Sequence, residues 1–231
     1  MKKRVLAKCK EAGVLGTVLL APEGINMFLA SHGDATLREL VSYLTGGEGE
    51  VKWSWCDSQP FKRIKVKVKK EIIHMGIPSI QPGLARAPAV SSGTLRRWLD
   101  RGRDDKGREV VMLDTRNAFE MESGTFDNAV GLDINTFGEF PERVEAASHL
   151  FKNKTVVSFC TGGIRCEKAV CYMQEKGISD SVYQLDGGIL RYFEEEGGKH
   201  YRGGCFVFDQ RGVLDSRLRE AKPPGFKLID R

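Results

Sequence analysis

The sequence predicts an α/β protein in two parts: a small α+β domain over residues 1–75 and a doubly wound, mostly parallel sheet over 94–200. Two observations carry this reading. From 94 to 198, β-like and helix-like runs alternate, the pattern of parallel strands joined by crossover helices. Between the two parts, residues 76–93 carry Pro78, Pro82 and Pro88 among small residues, the composition of a linker. A length of 231 residues suits one large or two small domains. Residues 201–231 follow as a C-terminal extension, and the last ten, with two prolines and mixed charge, are expected to be disordered.

In the first part, residues 2–12 are patterned as a helix that stops at Gly13. Apolar runs at 16–21 and 25–30 are joined by Pro22-Glu23-Gly24, a turn signal. Asp34 is a plausible N-cap for a helix with Leu37, Leu40, Val41 and Leu44 on one face, ended by Gly46-Gly47. Strands are expected at 52–56 and 63–69. The order αββαββ is close to a ferredoxin-like βαββαβ unit, of the acylphosphatase-like kind, lacking its first strand. In the second part, a helix near 94–101 leads into a strand at 110–114. Pro141 opens a further helix carrying Val144, Ala147, Leu150 and Phe151. A strand at 155–159, a helix at 167–176 and a strand from Val182 complete the alternation.

Bulk properties narrow the function. An apolar content of 41% and a charged content of 29% describe an ordinary globular chain. No run approaches the ~20 apolar residues that span a bilayer, so no membrane partner is expected. The basic start Met-Lys-Lys-Arg has no apolar segment behind it, which excludes a signal peptide. Six cysteines without a disulfide-like framework point to a reducing cytoplasm. Four histidines show no metal-ligand spacing, so no metal site is predicted. A net charge of +5 is weak evidence for nucleic acid.

One local stretch is stronger. Residues 63–69 alternate Arg63, Lys65, Lys67 and Lys69 with Ile64, Val66 and Val68, and Lys62 precedes them. An edge strand protected by lysines explains part of this pattern. Four cations on one face exceed what protection requires and favour contact with an RNA backbone.

The chemistry lies in Cys160-Thr-Gly-Gly-Ile-Arg-Cys166, between a β-run and a helical run. A glycine-bearing loop at a helix N-terminus turns backbone N–H groups and the positive end of the helix dipole toward the sulfur. Both favour a thiolate, so Cys160 is the candidate nucleophile. Arg165 adds a positive charge at the loop's end. Cys166 is a candidate resolving or accessory thiol. Cysteine phosphatases place five residues between Cys and Arg; here four intervene, a tighter cradle that suits a terminal sulfur.

That spacing resembles the rhodanese active-site loop. The resemblance extends to Val110-Val-Met-Leu-Asp-Thr-Arg116 with Glu120 and Gly124, and to Val182-Tyr-Gln-Leu-Asp-Gly-Gly-Ile189. Gly124-Thr125-Phe126 stands where rhodaneses usually have Gly-His-Ile. In the family pattern Asp114 and Arg116 brace the loop through hydrogen bonds. Three further blocks, Leu19-Leu-Ala-Pro-Glu-Gly-Ile-Asn26, Pro60-Phe-Lys-Arg-Ile-Lys65 and Gly204-Cys-Phe-Val-Phe-Asp209, are similar to the bacterial tRNA uridine hydroxylase family. Met27-Phe28 replaces that family's usual Gly-Thr.

This resemblance implies hydroxylation of the wobble uridine, position 34, to 5-hydroxyuridine. Molecular oxygen is the implied co-substrate, with an unidentified electron donor, and no cofactor motif is evident. The loop cysteine is implied to bear a persulfide, with a protein persulfide as donor. The implied partner is tRNA, gripped at the anticodon arm. The rival reading is a plain sulfurtransferase, which passes sulfane sulfur through a Cys160 persulfide and needs neither the first domain nor the basic strand.

Overall fold

The first helix, α1 (Lys2–Glu11), puts Val5 and Cys9 on its buried face. It packs on a three-stranded sheet of β1 (Leu15–Ala21), β2 (Gly24–Ala30) and β3 (Ile64–Val68). In this computed structural model, residues 1–49, 51–82 and 87–221 are described. Strand β1 alternates buried and half-buried positions, sending Val18 and Leu20 into the core. It lies at the centre, antiparallel to β2 and parallel to β3. Helix α2 (Asp34–Thr45) contributes Leu40 and Val41 to the same core. Gly33 is its N-cap and Asp34 its first residue. Gly46 ends it in the left-handed conformation that glycine adopts without strain.

The strand expected at 52–56 does not form. In a βαββαβ unit, the strand after the second helix pairs with the first strand, which lies beyond β2. Among the described residues no strand occupies that place, so 52–56 has no ladder to join. A lone strand gains no inter-strand hydrogen bonds to offset its ordering entropy. The basic strand β3 adds instead to the opposite edge, alongside β1.

The chain divides into two compact units, Met1–Ile72 and Ile73–Arg231. The described part of the expected linker belongs to the second unit. Met75, Ile80 and Ala87 are buried in its core, and β4 (Ala89–Val90) joins its sheet. Apolar residues spaced among the prolines outweigh the linker-like composition. Residues 83–86 of that segment, and the last ten residues expected to be disordered, lie outside the described residues.

The second unit is built on five parallel strands. In spatial order they are β4, β9 (Val182–Leu185), β8 (Thr155–Phe159), β5 (Val110–Asp114) and β7 (Val130–Gly131). Every residue of β8 is buried, as expected for a central strand covered on both faces. Its side chains alternate between two cores. Val156 packs with Leu113 and with Val144 of α5 (Phe140–Ala146) and Ala169 and Met173 of α6 (Ile164–Glu175). Val157 and Phe159 pack on the other face. There they meet Leu95 and Trp98 of α3 (Ser92–Arg101), and Ile189 and Tyr192 of α7 (Gly188–Glu196).

The α4 helix (Ala118–Met121) and β6 (Gly124–Phe126) link β5 to β7. The expected C-terminal extension is partly woven into this unit: β10 (Tyr201–Gly203) pairs with β6, and β11 (Cys205–Phe206) pairs with β12 (Val213–Leu214). Cys205 is fully buried there.

Candidate active site: a cysteine loop at the end of the central strand

Cys160 follows β8 directly, at the carboxyl end of the sheet, where parallel α/β folds bind their ligands. The loop closes on its own sulfur. Gly163 takes φ +95°, a left-handed value, and its N–H donates to Cys160 Sγ at 3.1 Å. Gly163 is also the N-cap of α6, whose twelve residues direct a positive dipole end at the loop. The start of α7 holds the loop from the other side. Ile189 N–H donates to the Cys160 carbonyl at 3.0 Å and Leu190 N–H to that of Thr161 at 3.2 Å. Gly188 permits this approach: a Cβ there would lie 2.5 Å from the Cys160 carbonyl oxygen and 2.8 Å from Gly163 N.

The sulfur is fully buried, yet its surroundings favour the thiolate. Burial is the largest single influence and disfavours the thiolate. It is outweighed together by the Cys166 hydrogen bond, the charge of Arg165 and the N–H groups of Arg165 and Gly163. The thiol sits at about 5 against an ordinary 9.0. The other shifted cysteines move the opposite way. Burial pushes Cys9 and Cys171 up and Cys205 up to about 12. Cys166 is raised well above its ordinary value, first by burial and then by its bond to Cys160 and by that neighbour's charge. One thiolate and one thiol thus share the loop.

A direct check is the rate of alkylation against pH. Cys160 should react with iodoacetamide with a midpoint several units below the reference of about 8.5, falling off only as pH drops through the thiolate's own range. A midpoint at or above the reference value would show that the loop does not stabilise the anion.

Arg165 lies in the first turn of α6 and is buried rather than presented to solvent. Its guanidinium meets Glu120 in a two-pronged pair, Nη1–Oε1 2.5 Å and Nη2–Oε2 2.8 Å. The positive charge expected at the loop's end is therefore half of a buried ion pair. Glu120 is itself fixed by a capping box, its Oε1 accepting from Asn117 N–H at 3.1 Å at the start of α4. In the sequence Glu120 stands out only within the rhodanese-like signature; the pattern Asn117-x-x-Glu120 before a short helix is the signal for its role.

Asp114 and Arg116 are both fully buried and bonded to each other, with Arg116 Nε 2.9 Å from Asp114 Oδ1. They tie the end of β5 to β6: Arg116 donates to the Gly124 carbonyl at 2.7 Å, and Thr125 Oγ1 donates to Asp114 at 2.8 Å. The residue between them reaches the loop. Thr115 Oγ1 donates to the Phe159 carbonyl at 3.0 Å and stands 3.6 Å from Cys166 Sγ. Thr115 was not singled out in the sequence.

An aromatic cluster was also missed, because its members are distant in sequence. Thr161 Oγ1 donates to the Phe206 carbonyl at 3.3 Å. The Phe206 ring meets Phe119 at 5.3 Å and Phe208 at 5.1 Å, both edge to face. Phe208 is 59% exposed, an unusual state for so large an apolar ring.

The basic residues belong to the first unit. Strand β3 is an edge strand, and its ladder continues through the carbonyl of Arg63 and the N–H of Lys69. Lys62, Arg63, Lys67 and Lys69 are exposed, Lys65 is half-buried, and Val66 faces the core.

Strand order and the cysteine loop define a rhodanese-domain protein with a second, acylphosphatase-like unit. Residues 95–195 match the rhodanese-like domain model, and residues 1–72 match the UPF0176 acylphosphatase-like domain model. The tRNA uridine(34) hydroxylase of Burkholderia cenocepacia strain HI2424 is 56% identical over 93% of this chain and 78% of its own length. That of Cupriavidus necator is 54% identical over 94% of this chain and 77% of its own. The chain belongs to the tRNA uridine(34) hydroxylase family. Among solved structures, the thiosulfate sulfurtransferase of Pseudomonas aeruginosa aligns with 87% of this chain and 42% of its own, at 12% identity and a TM-score of 0.43. A rhodanese-like domain from Anabaena aligns with 62% of this chain and 92% of its own, at 18% identity and a TM-score of 0.41.

Proposed function

We propose that this protein hydroxylates the wobble uridine of tRNA at C5, with Cys160 as the reacting thiolate. The reading takes its substrate from the family and its chemistry from one observation: the only cysteine shifted toward ionisation among the described residues ends the central strand. C6 of uracil is electron-poor through conjugation with the C4 carbonyl. Addition of the Cys160 sulfur there forms a C6–S bond and places the displaced electron pair on C5. C5 then bonds to one oxygen of O2, and a proton completes a C5 hydroperoxide. Two electrons and two protons cleave the O–O bond, leaving C5–OH and water. Loss of the C5 proton and expulsion of the sulfur restore the C5=C6 bond. Over the cycle, C5–H, O2, two electrons and two protons become C5–OH and water. Arg165 and the loop N–H groups hold the sulfur anionic before addition and accept it again on expulsion.

Two features favour RNA over a small sulfur acceptor. The exposed Phe208 ring beside the loop suits stacking on a nucleobase. The cationic face of β3 suits the anticodon arm's phosphates. The reaction is assigned to the cytoplasm, where tRNA is found; among the described residues, no helix is long and apolar enough to cross a membrane. The family relatives do not favour the plain sulfurtransferase alternative; a Cys160 persulfide loaded by a protein donor, which the family resemblance also implies, would form on this same thiolate.

The deciding experiment is nucleoside mass spectrometry of tRNA from a strain lacking this gene. Loss of 5-hydroxyuridine and its derivatives is expected, with recovery on complementation. An unchanged nucleoside profile would end the hydroxylation reading.

The basic strand has its own test. Replacing Lys65, Lys67 and Lys69 together by Ala should weaken tRNA binding and flatten its salt dependence, by roughly one unit of log–log slope per lost phosphate contact. The alkylation rate of Cys160, which lies in the other unit, should not change. Wild-type affinity and slope in this variant would reduce the strand to a protected edge.

A further inference from the structure

We infer that Cys166 is a catalytic residue of the hydroxylation, supplying with Cys160 the two electrons that reduce the second oxygen atom. The inference rests on the hydroxylation reading and names the electron source that reading leaves open. Its ground is geometric. The two sulfurs flank one loop, Cys160 at the end of β8 and Cys166 in the first turn of α6. Cys166 N–H donates to the Gly163 carbonyl at 2.9 Å, and Gly163 N–H donates to the Cys160 sulfur. Thr115 holds the Cys166 sulfur at 3.6 Å while bonding the carbonyl just before Cys160. Both cysteines are free and fully buried, and each lies near enough to the other to shift its ionisation.

A buried cysteine kept only for packing needs no such partner. Two adjacent thiols hold two electrons and two protons, the amount that O2 requires beyond C5–H. The steps balance. While Cys160 is bonded to C6, the Cys166 sulfur attacks the distal oxygen of the C5 hydroperoxide. The O–O bond breaks, an S–O bond forms, and C5 keeps its hydroxyl. Cys166 is then a sulfenic acid, two electrons oxidised. After C6–S cleavage frees the Cys160 thiolate, it attacks the Cys166 sulfur. A disulfide forms and hydroxide leaves, becoming water with a proton. A cellular dithiol resets the pair by exchange.

The order of events fits the electrostatics. In the resting loop the Cys160 anion suppresses ionisation of its neighbour. Once Cys160 is covalently bonded, that anion is gone and the Arg165 charge acts on Cys166 alone.

The test is a single turnover with enzyme reduced, freed of reductant, and mixed aerobically with unmodified tRNA. Wild type should give close to stoichiometric 5-hydroxyuridine and a Cys160–Cys166 disulfide in the digested protein. Cys166→Ser keeps a hydrogen-bond donor beside Cys160 but has no sulfur to oxidise. It should keep the low alkylation midpoint of Cys160 and form no product in this assay. Product from Cys166→Ser at the wild-type level, or wild-type product with both thiols still free, would overturn the inference. The second result needs no variant to fold. If wild type forms no 5-hydroxyuridine even with excess dithiothreitol, it is the hydroxylation reading that fails.

Discussion

Cys160→Ser is expected to reduce tRNA hydroxylation to background while the fold is retained. The substitution removes one atom's chemistry from a site that tolerates the smaller oxygen, since the loop is held by backbone bonds from Ile189 and Leu190 rather than by the sulfur. An alcohol stays protonated where this thiol ionises, so the nucleophile is lost at neutral pH. The Gly163 N–H that donates to the sulfur would then face a weaker, neutral acceptor. Far-ultraviolet circular dichroism and tRNA affinity should match wild type, which separates lost chemistry from lost structure. Hydroxylation retained by the serine variant would remove this residue from the mechanism and with it the central claim.

Glu120→Ala should have the largest effect on stability. Glu120 is fully buried and Arg165 nearly so, and each satisfies the other. Removing the carboxylate leaves a guanidinium in the interior without its counter-charge, a change that costs about 3–5 kcal/mol. The loss should appear as a lower urea midpoint with an unchanged slope. Glu120→Gln keeps the volume and one acceptor oxygen, so it should cost less and leave more folded protein to study. In that variant the Arg165 charge is no longer opposed. The Cys160 alkylation midpoint should therefore fall below the wild-type value. A midpoint that stays or rises would mean that Arg165 does not act on the sulfur. An unchanged urea midpoint in Glu120→Ala would mean that water reaches the pair.

The cysteine loop was legible because its determinants are contiguous. A β-run, a glycine-bearing turn and a helix within twenty-five residues fix where the sulfur, the N–H groups and the helix dipole go. The same holds for the two parts of the fold, whereas the alternation of β3 is kept only in part: Val66 enters the core but Val68 is exposed, since the core does not reach the end of this edge strand. Failures came where a partner was required from elsewhere. Residues 52–56 have strand-like composition, but a strand exists only if another offers it a ladder. Residues 76–93 read as linker by their prolines and small side chains, yet Ile80 and Ala87 find a core to enter.

Local patterns of residue type and spacing were enough to place the candidate nucleophile, the parallel sheet that carries it and the family blocks around it. Only the tertiary structure decided what surrounds the sulfur. It paired Arg165 with Glu120, forty-five positions away. It set Thr115 against Cys166, brought Gly188 against the loop, and gathered Phe119, Phe206 and Phe208 beside it. The physical reason is common to all of these. Charge pairing, close backbone approach and ring packing act over a few ångströms in space, and the chain brings such groups together only when both cores of the sheet are filled.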